Sequence, residues 1–161
     1  MGTALICVAF AATSFAQVSA TANASATIVT PISISKNNDM NFGNVATDGT
    51  VGTVILAPAS TRTSTGGITF PATAGTVTAA SFAVAGSGSY TYSISLPTSV
   101  VIASGANSMT VNTFTSTPTL AGALSAGAQT LLIGATLNLT AAQAAGSYTS
   151  ASPFTVTVNY N

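Results

Sequence analysis

Three features of the sequence predict an all-β fold whose strands pack as an antiparallel β-sandwich. Apolar and polar residues alternate over several short runs, which puts the apolar side chains on one face of an extended strand. Gly, Ser and Asn turn signals separate those runs. The polar positions are filled by Thr, Ser and Asn, and Thr, Val, Ile and aromatic residues suit strands. One-sided alternation of this kind belongs to antiparallel sheets with one buried face.

Charge is nearly absent. The 161 residues carry two basic and two acidic side chains, Lys36, Arg62, Asp39 and Asp48, with no His and no Glu. Soluble domains are roughly a quarter charged, so 2% is a large departure. Disorder does not explain it, because disordered chains are poor in apolar residues and this one is 47% hydrophobic. The length suits a single domain with one core. A net charge of zero offers no attraction to nucleic acid or acidic lipid and little protection against self-association.

Residues 4–16 form an apolar run of signal-peptide length, too short to span a membrane. Ser14-Phe15-Ala16 and Val18-Ser19-Ala20 are two small-residue cleavage patterns. Residues 1–20 are therefore expected to be a leader, although no Lys or Arg precedes Lys36, and a retained apolar strand is the alternative. The one cysteine, Cys7, lies in this run, so the mature chain is expected to hold no disulfide.

From Val18 the alternation is regular. Ala20, Ala22, Ala24, Ala26 and Ile28 share one phase; Ser19, Thr21, Asn23, Ser25 and Thr27 share the other. Pro31 breaks the pattern, which resumes at Ile32 and Ile34. Residues 21–35 read as an N-terminal extension and residues 36–161 as the sandwich domain. Strands are expected near residues 54–56, 68–70, 77–84, 90–96, 100–102, 109–114 and 131–139. Asp48-Gly49 and Gly66-Gly67 read as turns, and residues 140–145 are the one helix-like stretch. The closing strand alternates most clearly, with Phe154, Val156, Val158 and Tyr160 facing one way as a candidate core or groove strand.

The chemistry of catalysis is missing. A hydrolytic triad needs a base, usually His, and zinc sites draw on Cys and His. Asp39 and Asp48 sit in turn-like contexts, where Asp caps turns. Residues 37–39 have oxygen ligands for calcium but neither the spacing nor the bidentate Glu of an EF-hand. The expectation is no enzyme, no catalytic residue, no cofactor and no metal.

The order Ala26-Thr27-Ile28-Val29-Thr30-Pro31-Ile32, Met40-Asn41-Phe42-Gly43, Ser104-Gly105-Ala106-Asn107-Ser108-Met109, Ala144-Ala145-Gly146-Ser147-Tyr148 and Val156-Thr157-Val158-Asn159-Tyr160 resembles a domain-of-unknown-function family. Its members are small, secreted, Ala/Thr-rich bacterial proteins. More loosely, the pattern is similar to chaperone–usher pilins of the archaic, spore-coat-U-like type. That resemblance implies an incomplete immunoglobulin-like sandwich, completed by a neighbour's N-terminal strand whose Ala22, Ala24, Ala26 and Ile28 enter the groove. It implies a secreted, cell-surface fibre (pilus) subunit that polymerises with copies of itself. A periplasmic chaperone and an outer-membrane usher would be its partners; nucleic acid and a membrane span in the mature chain would have no part. The alternatives are a self-contained secreted adhesion or binding module, with residues 22–28 in its own sheet, and an amyloid-like biofilm matrix protein.

Overall fold

The computed structural model describes residues 17–161; the apolar run at 4–16 and Cys7 lie outside the described residues. Every regular element among the described residues is a strand. In chain order these are β1 (Ser33–Asn38), β2 (Asn41–Phe42), β3 (Ala46–Leu56), β4 (Arg62–Thr69), β5 (Val77–Thr78), β6 (Ala80–Ala85), β7 (Thr91–Ser95), β8 (Ser99–Ser104), β9 (Asn107–Thr117), β10 (Ala121–Ala123), β11 (Ala128–Leu139) and β12 (Thr157–Tyr160). All pairings are antiparallel.

A large seven-stranded sheet is organised by β11. One edge of β11 takes β6 along residues 128–133 and then β3 along residues 135–139. Its other edge takes β9, which carries β8 outside it. β1 lies outside β6, and β4 outside β3. A three-stranded sheet, in the order β10-β7-β12, forms the second layer, and β2 pairs with β5 apart from both.

The core has two halves. In one, Ala80, Val84, Leu131 and Ile133 of the large sheet pack against Tyr92, Ile94, Val156 and Val158 of the small one. In the other, Val54, Ile68, Met109, Val111, Ala135, Leu137 and Leu139 form the inner face of the large sheet, with no residue of the small sheet among their neighbours. Met40, Phe42, Val45, Phe70 and Tyr148 cover this second half in part. The alternation read at Leu131, Ile133, Ala135, Leu137 and Leu139 is thus one continuous apolar face that crosses both halves.

Local chemistry moves some expected boundaries. Gly66-Gly67 is not a hairpin turn. It lies within β4, opposite the register shift between Thr47 and Gly52, and Gly66 has the left-handed φ of 66° that the irregularity needs. The β3–β4 reversal instead falls at residues 57–61, closed by hydrogen bonds between Ala57 and both Thr61 and Ser60. The helix-like residues 140–145 form a turn and coil, held by Thr140 donating to Gln143 Oε1 at 2.8 Å and Gln143 Nε2 donating to Tyr148 Oη at 2.9 Å. β1 crosses the boundary expected at Lys36, so the chain joins the sandwich just after Pro31.

Candidate functional site

Over the second half of the core the sandwich is open. A groove of about 1320 Å³ is floored there by Val100, Ile102, Met109, Val111, Leu137 and Leu139. One rim is the chain from Asp39 to Thr47, and the other runs from Gln143 to Phe154.

The first rim is built by its sequence. Asn41 Oδ1 accepts the Gly43 N–H at 2.8 Å, a side-chain-closed turn. Gly43 has a φ of 69°, and a Cβ there would collide with Ala74 O, Val77 and Arg62. Phe42 between them packs onto the second core cluster. The Arg62 guanidinium then ties the rim to β4. It donates to Phe42 O, to Asn44 O at 2.8 Å and to Ala74 O at 3.4 Å, and it lies 4.1 Å over the Phe70 ring. On the second rim Tyr148 packs onto the same cluster while its hydroxyl donates to Ala144 O at 2.6 Å. Gly146 lets the chain pass close to Ser104, and Thr149 bridges Ala103 of β8. The Asn-Phe-Gly and Gly-x-Tyr signatures, far apart in sequence, are therefore the two lips of one groove.

Two sheet edges end beside it. Asn161 N–H donates to Thr91 O, which sets the phase of β12 on β7. Thr157 and Asn159 turn their main chain toward β7, so Val156, Val158 and Tyr160 turn theirs to the edge that no strand of the described residues covers. Likewise Gly86 N–H donates to Gly127 O, so Ser33 and Ser35 bond to β6 while Ile34 and Lys36 face the uncovered edge of β1. The groove opens between these two edges, beyond Lys36 and Phe154.

Of the candidate groove strand, Val156, Val158 and Tyr160 stand as expected in phase, with Val156 and Val158 buried. Phe154 lies before β12 begins. Its neighbour β7 has already ended at Ser95, ahead of Leu96-Pro97, and a cavity of about 660 Å³ separates the two segments. Among the described residues, Phe154–Val156 thus keep the alternation of a strand without a strand on either side.

Ala22, Ala24, Ala26 and Ile28 lie in a segment without regular structure, exposed throughout. Ile28 is 97% exposed and Val18 94%. Among the described residues the extension is fixed only at its base. Tyr160 Oη donates to Thr30 O at 2.9 Å and accepts the Ser87 N–H at 2.7 Å, with the Tyr160 ring 5.7 Å from that of Tyr90. Sequence reasoning did not find this bond; a penultimate Tyr in an alternating strand signals burial but names no partner.

Charged groups are placed locally. Lys36 pairs with Asp39 at 2.7 Å, both exposed. Asp48 Oδ1 accepts the Thr50 hydroxyl and amide at 2.7 and 2.9 Å, and these bonds, the hydroxyl foremost, hold its carboxyl below the ordinary value. Among the described residues no three His, Cys, Asp or Glu side chains are grouped to hold a metal ion.

A family model described as a domain of unknown function (DUF4402) matches residues 32–160, and the chain belongs to that family. The matched span begins where the extension ends and includes both lips and the floor of the groove. Neither the curated proteins nor the solved structures yield a match to the chain.

Proposed function

We propose that this DUF4402 chain is a structural subunit of an extracellular bacterial fibre, joined head to tail by strand donation. The observation that carries the reading is a complementary pair within one chain: a groove with an apolar floor that no strand of the small sheet covers, and an exposed extension with apolar groups at every second position. Neither feature is expected of a self-sufficient soluble domain. Open sheet edges beside an apolar groove invite strand addition, in which main-chain hydrogen bonds supply affinity and alternate side chains fill pockets.

The direction of the extension supports polymerisation over dimerisation. It leaves beside Tyr160, at the end of β12 remote from Phe154 and the groove. Donor and acceptor surfaces differ and lie at opposite ends, so the contact is heterologous, and a heterologous contact whose rotation does not close a ring propagates as a filament. On the pilin resemblance, the missing element is the last strand of an immunoglobulin-like sandwich. A periplasmic chaperone and an outer-membrane usher would cover the groove before assembly.

Deletion of residues 21–28 tests this. The expected result is loss of surface fibres with the domain still folded. Normal fibres from the deleted chain would refute the proposal, and a wild-type chain recovered only as a soluble monomer would favour a self-contained binding module.

A further inference from the structure

One segment with two possible acceptors poses a problem that the structure addresses at Tyr160. The groove that would receive a neighbour's extension is equally open to the chain's own. Reach does not prevent this. Residues 17–29 extend to about 45 Å, whereas the path from Thr30 to Met40 along β1 is about 33 Å. A tethered segment also meets its own groove at an effective concentration of about millimolar for short flexible connections. Folding back would then outcompete donation in dilute solution unless something at the base of the extension opposes it.

Resting on the strand-donation reading above, we infer that Tyr160 is a latch that keeps the extension directed off the domain and so favours donation over self-closure. The latch is a relay of two hydrogen bonds, Ser87 N–H to Tyr160 Oη at 2.7 Å and Tyr160 O–H to Thr30 O at 2.9 Å. The domain makes room for it: a Cβ on Gly86 would collide with the Tyr160 hydroxyl. Pro31 fixes its own φ and holds Thr30 in extended conformations. Self-closure needs a chain reversal at Val29–Pro31, which turns the Thr30 carbonyl away from Tyr160. The free edge of β1, at Ile34 and Lys36, is where the reversed segment would then pair. Tyr160 acts through the backbone it holds, so it is a positioning residue.

The test compares the full-length wild-type chain with Tyr160→Phe, which keeps the ring and removes only the hydroxyl. Sedimentation reads the polymer fraction, and hydrogen exchange reads protection at residues 22–28 in the monomer fraction. The expected result is a rise of roughly fivefold in the ratio of monomer to polymer for Tyr160→Phe, the size of one net hydrogen bond, with residues 22–28 protected in those monomers. Polymer yield equal to wild type, or unprotected residues 22–28 in the variant's monomers, overturns the latch and leaves the fibre reading standing. Protection of residues 22–28 in wild-type monomers also overturns it, because closure then occurs with the hydroxyl in place. A wild-type chain that neither polymerises nor protects residues 22–28 overturns both readings together.

Discussion

Replacing Ile28 by Ala separates a donated residue from a domestic one. Ile28 is 97% exposed in the isolated chain, so Ile28→Ala should leave the stability of the monomer within about 0.5 kcal/mol of wild type. In a fibre the same side chain would be buried in a neighbour's groove. Ala lacks three of its carbons, and at about 0.8 kcal/mol per buried carbon group the loss is about 2.4 kcal/mol at each junction. That corresponds to a roughly 50-fold weaker junction. The assay is guanidinium disassembly of sheared fibres, followed by sedimentation, beside a circular-dichroism melt of the monomer fraction. Asn23→Ala, in the opposite phase of the alternation, is the control and should change neither measurement. The reasoning fails if Ile28→Ala lowers the monomer melt while fibres disassemble as before, because Ile28 would then belong to its own domain.

Three further residues, Tyr92, Asp48 and Arg62, give testable outcomes. Tyr92 is fully buried and its hydroxyl donates to Gln129 Oε1 at 2.7 Å; Tyr92→Phe should cost about 1–3 kcal/mol in a denaturant melt by leaving that oxygen without its donor. Burial also raises the Tyr92 pKa, so the folded state keeps its proton longer than the unfolded state. This contribution is complete below the ordinary tyrosine value of about 10 and is lost as pH rises through the folded value; a melt series on the alkaline side should show the decline, and Tyr92→Phe should lessen it. Asp48, held low by Thr50, has the opposite sign: its contribution is present above the ordinary carboxylate range and is lost as pH falls through its lowered value, so melts between about pH 5 and pH 9 should be flat. Arg62→Lys should cost about 2 kcal/mol, since an ammonium does not reproduce the guanidinium fork on three carbonyls, and hydrogen exchange should speed up at residues 42–44.

Much of the architecture was legible because it rests on period two. The inner faces of β7, β11 and β12 follow directly from Tyr92 and Ile94, from Leu131 to Leu139, and from Val156 and Val158. What alternation does not carry is pairing. β11 serves β6, β3 and β9 at once, and nothing in residues 128–139 announces three partners. Gly66-Gly67 misled because a glycine pair signals left-handed backbone, which a strand irregularity needs as much as a turn does. Residues 140–145 misled because Ala favours helices, whereas side-chain bonds among Thr140, Gln143 and Tyr148 hold a loop instead. The alternation of residues 18–28 was legible in the sequence, and in the fold those residues take no regular structure. The groove was not legible, because it lies where the small sheet stops short of the second half of the core, and that boundary is a property of the assembled fold.

The scarcity of charge and the open groove bear on the same question. Lys36 is matched to Asp39, Asp48 is bonded to Thr50, and Arg62 is directed into carbonyls beneath the groove rim. Each charge has a local partner. The outer face of the large sheet carries instead a lattice of neutral groups, with Thr65, Thr53, Asn138 and Thr110 opposite one another across four strands. Such a surface gives copies almost no mutual repulsion, which would be a hazard for a monomer with an apolar groove. In a fibre the same property has a use. Neighbouring subunits could stack along the axis without accumulating like charge, and junction strength would rest on groove burial and main-chain bonds, which salt screens little. Fibre disassembly should therefore be nearly insensitive to sodium chloride between about 0.01 and 1 M, a range over which the screening length falls from about 30 to 3 Å. A junction that weakened steeply over that range would have to be held by charges, and the only four in the sequence are already engaged within the subunit.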